Sequence, residues 1–426
     1  MTTGPVTAIP DPPGAPDDAT TPGTPVTAVT RDMWDRLPFD VRDPAFHTDP
    51  YRHYEQLRTA AGGPVLRLDE QVTVVTGHAA CLAVLGDARF GFGTLDTGTQ
   101  SFLMTDPPEH RRLRTRVAAP FAARAVERLR PAVEHRAAAL LAAADRAGEV
   151  DVIADLAEPL ALDVICALVG VPLDERREWI EALKWMTAGF DPEALRTPQD
   201  TARISCARLD FARYLRDLIE RRRAAPAGDV LGALVAPGPD GSLLTVDRIV
   251  TAVGQLVVAG YEPAVNLVGN GLHALLSHPR QLDRLRTHPQ AVPGAVEELL
   301  RYDPPIQLIT RVALRDAAVA GTPVPAGTVV GLLVGAANRD PAVFTDPHCL
   351  DTTRTPAHLS LGWGEHFCLG ARLVRVQAAA LLTALARCRP VPTGEPVRHK
   401  PTLISRGLER LPVMLTAGLA DDDRLP

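Results

Sequence analysis

Apolar residues recur every three or four positions along most of the chain, the period of helices with one buried face. The segments with this period are 50–62, 77–86, 107–145, 151–169, 173–188, 199–223, 245–277, 279–287, 290–302 and 368–386. Runs typical of strands are restricted to 65–76 and to short segments between 309 and 336. The pattern therefore predicts a mainly α protein with a small β portion concentrated after residue 300.

The two ends of the chain differ from the rest. The first thirty residues are rich in Thr, Pro, Ala and Gly, and no Lys or Arg precedes Arg31, so neither a signal peptide nor a membrane anchor is expected. We predict a disordered tail at 1–35, one large folded domain at 36–419 and a short tail at 420–426. Because no apolar run approaches the roughly 20 residues that span a bilayer, no membrane partner is expected.

Charge and cysteine content narrow the class of protein. The formal net charge of −6 at pH 7 gives no sign of a nucleic-acid partner. The six cysteines are scattered without a Cys-x-x-Cys pair. This usage is typical of a reducing cytoplasm, in which any functional cysteine acts alone. We therefore expect a cytoplasmic protein.

A proline interrupts the apolar pattern of 255–272, QLVVAGYEPAVNLVGNGL. In a helix interior, Pro263 would remove a backbone donor and crowd the carbonyl of Ala259, at a cost of about 3 kcal/mol. Two interpretations are open at this point. Gly260 and Tyr261 form a turn and Pro263 begins a second helix, or one long helix carries the proline for a functional reason.

The segment 358–382, HLSLGWGEHFCLGARLVRVQAAALL, carries the clearest chemistry. Gly362 and Gly364 permit a left-handed turn, and Cys368 then begins an apolar-periodic helix whose free N–H groups would stabilise a thiolate. Gly370 leaves room for a flat ligand. Three interpretations compete: an inert buried cysteine, a zinc site with His366 that lacks a visible second pair of ligands, and an axial thiolate to haem iron. The glycine spacing favours haem.

Residues 361–370, LGWGEHFCLG, resemble the haem-binding loop of the cytochrome P-450 superfamily, Phe-Gly-x-Gly-x-His/Arg-x-Cys-x-Gly. The sequence departs from that pattern at Leu361, where the family normally has a phenylalanine under the thiolate. The resemblance implies the cytochrome P-450 fold, haem b as cofactor, Cys368 as axial ligand of the iron and His366 as a haem-propionate partner. It extends over about 50–415.

Two further segments of the chain match motifs of the family. Glu298 and Arg301 share one helix face, and the resemblance implies that they form its ExxR pair behind the haem, with Arg354 as third member. Residues 105–114, TDPPEHRRLR, are similar to the segment whose His and Arg reach the propionates. The resemblance assigns His110 and Arg114 of this segment to the propionates, together with Arg311 of residues 308–313, LITRVA.

The resemblance also makes 245–277 one helix across the distal face of the haem. Ala259, Gly260 and Glu262 match the motif Ala/Gly-Gly-x-Asp/Glu-Thr, whereas Pro263 replaces the threonine that helps to deliver the proton for oxygen–oxygen cleavage. Proline frees the Ala259 carbonyl to hold water or a substrate hydroxyl but cannot itself relay a proton.

Three hypotheses follow from this replacement. In the first, a substrate hydroxyl or amide and an ordered water complete the relay beside Glu262, and the enzyme hydroxylates or epoxidises its substrate. In the second, the enzyme catalyses oxidative coupling, cyclisation or rearrangement. In the third, the protein is a poorly coupled oxygenase or a non-catalytic haem-binding protein.

Family position also suggests a mainly apolar substrate pocket with one or two polar anchors. The predicted lining residues are Phe92, Leu95, Phe102, Trp185, Met186, Tyr261, Ile306, Gln307, Leu308, Ile404 and Ser405. Such a pocket suits a medium-sized natural-product intermediate, for example a polyketide, a terpenoid or a cyclic peptide.

Electrons are expected to come from ferredoxin and ferredoxin reductase, which draw on NAD(P)H, because no flavin or iron–sulfur segment is visible in the chain. A basic patch for an acidic ferredoxin is predicted on the thiolate side, the alternative being an ordinary solvated surface. Its members are Arg111, Arg112, Arg116, Arg372 and Arg375. We expect a monomer.

Overall fold

The computed structural model describes residues 37–93, 104–145, 148–191, 195–238 and 241–416. The predicted tails at 1–35 and 420–426 lie outside the described residues, as do the pocket candidates Leu95 and Phe102.

Helices make up most of the described chain, as the apolar period predicts. The α-helices are α1 Pro44–Thr48, α2 Pro50–Ala61, α3 His78–Gly86, α4 Glu109–Val117, α5 Ala123–Asp145, α6 Glu158–Val169, α7 Ile180–Ala188, α8 Pro198–Ala224, α9 Val230–Val235, α10 Val246–Leu276, α11 Pro279–Thr287, α12 Val292–Tyr302, α13 Val334–Ala337 and α14 Ala371–Arg387. The largest apolar core surrounds α10, with contributions from α5, α6, α12 and α14.

Helix α10 continues through Pro263. The hydroxyl of Thr245 accepts a hydrogen bond from the backbone N–H of Arg248 and caps the first turn, and Ser277 caps the last turn. The single-helix interpretation of 245–277 is confirmed, and the alternative of a turn at Gly260 is wrong. Most residues of α10 are buried, so packing on several sides offsets the cost of the interior proline.

Glycines let other helices approach α10 closely. A Cβ on Gly260 would lie 2.5 Å from Ile165 Cδ1 of α6, and one on Gly269 would lie 2.6 Å from Ile153 Cδ1. Ile153 belongs to the π-helical turn Val152–Ala157 that leads into α6. Gly260, which the resemblance places in the oxygen-binding motif, therefore brings α6 against α10.

The strands form a five-stranded sheet, a three-stranded sheet and a hairpin within the described chain, in the orders β1-β2-β8-β5-β3, β4-β10-β9 and β6-β7. Their bounds are β1 Val65–Arg67, β2 Val72–Val75, β3 Phe90–Gly91, β4 Glu149–Asp151, β5 Leu308–Ala313, β6 Ala317–Val319, β7 Thr322–Val324, β8 Val329–Leu333, β9 Pro390–Pro392 and β10 Pro412–Leu415. Strands β2 and β8 pair in parallel and are buried along their length, as parallel strands covered on both faces are.

Several element boundaries differ from the sequence prediction. The predicted helical segment 107–145 is divided, because Pro120 enters a 3₁₀ turn at Ala119–Phe121 between α4 and α5. The predicted helix at 368–386 begins only at Ala371, with Gly370 at its N-cap. Sequence periodicity missed the elements that are too short to show a period: α1, α9, α13, β3, β4, β9 and β10.

Candidate functional site

The loop before α14 is shaped by two glycines. Gly362 and Gly364 have φ values of 70° and 68°, in the left-handed region that favours glycine. A Cβ on Gly364 would also lie 2.7 Å from the backbone oxygen of Leu85. The backbone N–H of Cys368 donates to the carbonyl of Leu361 at 2.8 Å, which closes the loop. The loop thereby holds Cys368 just before the start of α14, and α14 packs against α10.

Electrostatics around Cys368 act in opposite directions. Burial raises the pKa of the thiol, whereas the Gly370 N–H, which donates to the sulfur, and the positive charges of Arg114 and Arg375 lower it. Cys368 as a whole is partly exposed, and its sulfur has one donor and two cations nearby. A bound metal cation would complete the stabilisation of the thiolate.

Basic side chains converge beside this loop. The rings of His110 and His366 have centroids 4.0 Å apart, and the His366 ring also contacts Phe92 at 4.9 Å. The Arg311 guanidinium lies 4.4 Å from the centre of the Phe92 ring. Arg114 donates to the carbonyl of Phe367 at 2.7 Å. The four residues predicted to reach haem propionates are therefore brought together around Phe92, whose role in substrate contact stays a prediction.

The surroundings of this cluster disfavour the positively charged forms of His366 and Arg311. Burial, together with the charges of His110 and Arg311, lowers the pKa of His366 to about 3. Burial lowers the pKa of Arg311 to about 10, with Asp106 acting in the opposite direction. The Asp106 carboxylate already accepts hydrogen bonds from the backbone N–H groups of Phe92 and Gly93 at 2.8–3.1 Å. The cluster therefore suits additional carboxylates, as the two propionates of haem would provide.

One face of α10 is accessible although its surroundings are buried. Ala259 is exposed, and Thr251, Gln255 and Pro263 are partly exposed. These positions recur every four residues and so form one stripe along the helix. The side-chain oxygen Oε1 of Gln255 is buried without a hydrogen-bond partner in the described part of the chain. Sequence reasoning missed Thr251 and Gln255, which extending the four-residue spacing backward from Ala259 would have found.

Glu262, the acidic residue of the α10 motif, already accepts hydrogen bonds from neighbouring side chains. Glu262 is 5% exposed, and its Oε1 accepts from Lys400 Nζ at 2.7 Å and from the side-chain amide of Asn266 at 3.1 Å. That amide also donates to the Ser405 hydroxyl at 2.9 Å. Ser405, predicted to contact substrate, therefore belongs to a buried polar network. Sequence reasoning missed Lys400 and Asn266.

The ExxR residues form a fully buried ion pair. Arg301 and Glu298 are joined by two hydrogen bonds of 2.7 and 2.8 Å, and both side chains are 0% exposed. Arg354 lies 3.4 Å from Glu298 Oε1 and donates to the carbonyl of Thr345. The structure thus places Glu298, Arg301 and Arg354 in one cluster. From the sequence alone, Glu298 and Arg301 could equally have formed an ion pair on the surface of a helix.

Three of the residues predicted to line the substrate pocket are buried in internal packing. Tyr261 is 1% exposed and packs in the main core, with its hydroxyl near Glu158. Gln307 is fixed by hydrogen bonds with the hydroxyls of Tyr51 and Tyr54, and Leu308 is 3% exposed in a second core. These side chains are occupied by internal packing and hydrogen bonding in this structure, and the role of Tyr261, Gln307 and Leu308 in lining a substrate pocket stays a prediction.

The remaining candidates keep partial exposure. Trp185 lies under the Arg203 guanidinium at 4.9 Å, and Met186 lies beside the position that a Cβ on Gly254 of α10 would occupy, at 3.9 Å. Ile306 forms a bridge with Ser405, and Ile404 is joined to the same turn. Their role in substrate contact stays a prediction.

Other metal sites and membrane insertion find no support in the described residues. No group of three or more His, Cys, Asp and Glu side chains in that part of the chain could hold a metal ion, so the zinc interpretation lacks ligands beyond His366 and Cys368. Within the same ranges, every helix is too short or too polar to traverse a bilayer.

Comparison with known proteins agrees with this geometry. The chain is 36% identical over 407 residues to 6-deoxyerythronolide B hydroxylase of Saccharopolyspora erythraea, covering 88% of this chain and 98% of that protein. It is 38% identical over 402 residues to the cytochrome P450 monooxygenase PikC of Streptomyces venezuelae, covering 88% and 92%. The solved structure of the tirandamycin C-bound P450 monooxygenase TamI is similar with a TM-score of 0.77 and 34% identity, covering 88% of this chain and 99% of that one.

The family profile described as Cytochrome P450 matches residues 69–389. Members of this family bind haem b, and Cys368 with its neighbouring basic cluster fits that cofactor. The chain belongs to the cytochrome P450 family.

Proposed function

We propose that the protein is a haem-thiolate monooxygenase that hydroxylates or epoxidises a medium-sized natural-product intermediate. The accessible stripe of α10 carries the proposal, because it presents the Gln255 amide, Ala259 and Pro263 from the central, mostly buried part of the helix. Such a surface suits an apolar substrate with one polar anchor. The names of the relatives, a 6-deoxyerythronolide B hydroxylase and an enzyme bound to tirandamycin C, support a natural product as substrate.

Five residues would hold the cofactor. Cys368 would be the axial ligand, and the propionates would pair with the basic cluster of His110, Arg114, Arg311 and His366. Gly370 leaves space near the sulfur, since a Cβ there would meet no atom within 4 Å. When bound, haem supplies the activation of dioxygen. The leucine at position 361 packs against the main core.

Proton delivery would depend on Ala259 and Glu262. Because Pro263 has no N–H, the Ala259 carbonyl lacks its usual helical donor and can accept a hydrogen bond from a water or a substrate hydroxyl. Glu262 lies three residues further along α10, on the same side of the helix. A water between the carbonyl and the carboxylate would take over the position of the missing threonine hydroxyl.

The second candidate is oxidative coupling, cyclisation or rearrangement, and Pro263 is the observation that favours it. A helix without a hydroxyl at this position lacks the usual proton donor, so oxygen insertion has less support from the protein itself.

Isotope labelling distinguishes the two candidates. Substrates are first identified by the shift in iron spin state on binding, then turned over with ferredoxin, ferredoxin reductase and NAD(P)H under ¹⁸O₂. Monooxygenation gives a product with one atom of ¹⁸O. A product that lacks the label and has lost two hydrogens would support coupling instead, and a protein that binds substrate without turnover would contradict both.

Replacing Pro263 by threonine will change the fraction of NAD(P)H electrons that end in product rather than in peroxide. The variant regains a hydroxyl and a helical N–H, so the Ala259 carbonyl is again satisfied and the water site beside Glu262 is lost. We expect the yield of native product per NAD(P)H to fall by about a hundredfold, the lower end of the contribution of one proton-transfer group. The measurement is product and peroxide formed per NAD(P)H consumed.

A matched control is Pro198→Thr, at the start of α8 and remote from α10 in sequence. It should leave product identity and coupling unchanged. If Pro263→Thr also leaves both unchanged, the relay at Ala259 loses its basis.

The proposed surface for an electron donor carries less free charge than the sequence predicts. Arg111 forms two hydrogen bonds with Glu365, of 2.7 and 2.9 Å, and Arg375 forms two with Glu297, of 2.6 and 2.7 Å. Next to Glu365, Trp363 and Phe367 are 49% and 38% exposed. We therefore assign a larger share of ferredoxin binding to these aromatic side chains and a smaller share to the basic patch.

Reduction by ferredoxin should accordingly depend weakly on salt. Paired charges give a small net field beyond the Debye length of about 10 Å, so the second-order rate constant should fall less than about threefold between about 0.05 and 0.5 M salt. Stopped-flow reduction of the haem-loaded protein measures it. Glu365→Gln, which frees Arg111, should make the dependence steeper. A steep fall in the unmodified protein would restore the basic patch.

A further inference from the structure

Lysine is rare in this chain. Only two of its 45 Lys and Arg residues are lysines, Lys184 and Lys400. A lysine ammonium is a compact point charge on a flexible stem, whereas the arginine guanidinium is a planar fork. One of the two lysines meets the acidic residue beside Pro263: Lys400 Nζ lies 2.7 Å from Glu262 Oε1 and 3.2 Å from Asn266 Oδ1.

The turn that carries Lys400 is held tightly against α10. The backbone N–H of Lys400 donates to the carbonyl of Gly407 at 2.9 Å. A Cβ on Gly407 would lie 2.0 Å from Asn266 Oδ1, so only glycine allows the turn to approach so closely. Asn266 in turn donates to Ser405 of the same turn. These contacts fix the position from which Lys400 reaches Glu262.

Lys400 also connects the carboxylate with solvent. Its side chain is 23% exposed, whereas that of Glu262 is 7% exposed. A buried carboxylate without a partner is strongly disfavoured, and removal of one member of such a pair leaves the other uncompensated. The ammonium therefore contacts water on one side and holds a buried acid on the other.

The Glu262–Lys400 pair lies close to the accessible stripe of α10. Glu262 and Asn266 are three and seven residues after Ala259, and both lie on the side of α10 that carries Ala259 and Pro263. The carboxylate is thus held next to the place where proline leaves the helix without a donor.

We propose that Lys400 is a positioning residue for proton delivery at the Ala259–Pro263 step. Its ammonium holds the Glu262 carboxylate near a water at the Ala259 carbonyl. The carboxylate takes a proton from the ammonium as it passes one to that water, and the ammonium regains its proton from solvent on its exposed side. This inference rests on the proposed function and adds to it a residue 138 positions away from Glu262 in the sequence.

Amine labelling tests the contact without using activity. The full-length, haem-loaded protein is treated with an acetylating reagent, and mass spectrometry follows Lys184 and Lys400 separately. Glu262→Gln should increase the acetylation rate of Lys400 roughly threefold or more, because its anionic partner is lost, and should leave Lys184 unchanged. An unchanged rate at Lys400 would mean that the pair is absent in solution and would overturn the proposal.

Peroxide-supported turnover tests the role. Oxidation of guaiacol by hydrogen peroxide is measured for the haem-loaded wild type, Lys400→Met, Lys400→Arg and Lys184→Met. Lys400→Met should lower kcat roughly tenfold and increase the solvent deuterium isotope effect. Lys400→Arg should recover part of the rate, because its cation can still hold Glu262 but does not give up a proton, and Lys184→Met should match the wild type.

The outcomes separate this inference from the proposed function. Normal kcat and isotope effect in Lys400→Met, or a Lys400→Arg variant as slow as Lys400→Met, would overturn the positioning role while the wild type stays an active haem-thiolate enzyme. A loss of stability without a change in isotope effect would make the pair purely structural and would also overturn it. A wild type without a thiolate-type carbon-monoxide spectrum would refute the proposed function, and with it this role, whatever the labelling result.

Discussion

Replacing Cys368 by alanine will abolish the red-shifted Soret band that a thiolate ligand gives to the carbon-monoxide complex of reduced haem, and oxygenase turnover will disappear with it. Alanine has no atom that can bind iron, and the negative charge that the Gly370 N–H, Arg114 and Arg375 help to stabilise at this sulfur is lost with it. The loss should be complete rather than partial. Difference spectra of the reduced protein with and without carbon monoxide measure it.

The basic cluster should let the Cys368→Ala variant keep part of its haem. His110 and Arg114 are supplied by α4 and Arg311 by β5, away from the loop that carries the sulfur, so haem content should fall without reaching zero. Cys206→Ala, which removes an exposed cysteine on α8, is the matched control and should retain the full band. A Cys368→Ala variant with an unaltered spectrum would contradict the assignment of the axial ligand.

The site could be predicted where its geometry is local. The two glycines at 362 and 364 permit a left-handed turn, and their spacing from Cys368 matches a known motif, so the loop around Cys368 could be inferred from sequence. Whether the helix continues through Pro263 could not be predicted from local sequence. Local preference favours a break, and burial of α10 against α6, α12 and α14 decides for continuity.

Contacts between distant segments were beyond sequence reasoning. Lys400 and Glu262 meet through a turn held by Gly407, and no period or motif relates residues so far apart. The amide of Gln307, a predicted pocket residue, forms hydrogen bonds with the Tyr51 and Tyr54 hydroxyls, more than 250 residues earlier. The strand pair β4 and β10 was missed for the same reason: Pro412 pairs with Asp151, and neither short strand shows a period of its own.

Replacing Arg301 by alanine will cause the largest loss of stability among single substitutions at the site. The guanidinium forms two hydrogen bonds with Glu298 and three with the backbone carbonyls of Asn338, Pro347 and Cys349, at 2.7–3.1 Å. Alanine would leave the fully buried Glu298 carboxylate with Arg354 at 3.4 Å and the carbonyls without this donor. Breaking a buried pair costs about 3–5 kcal/mol, so the midpoint of urea unfolding should fall sharply.

Two comparisons show whether burial causes this effect. Arg221→Ala removes an arginine whose side chain is 51% exposed and whose two hydrogen bonds to Glu175 are as short; it should cost less than about 1 kcal/mol, because solvent screens the pair. Arg301→Lys keeps the charge but cannot serve both carboxylate oxygens and three carbonyls at once, so its loss should be intermediate. If Arg301→Ala unfolds at the same urea concentration as Arg221→Ala, the ion pair contributes no more than a surface contact. In that case Glu298 and Arg301 do not hold together the segments that carry residues 338, 347 and 349.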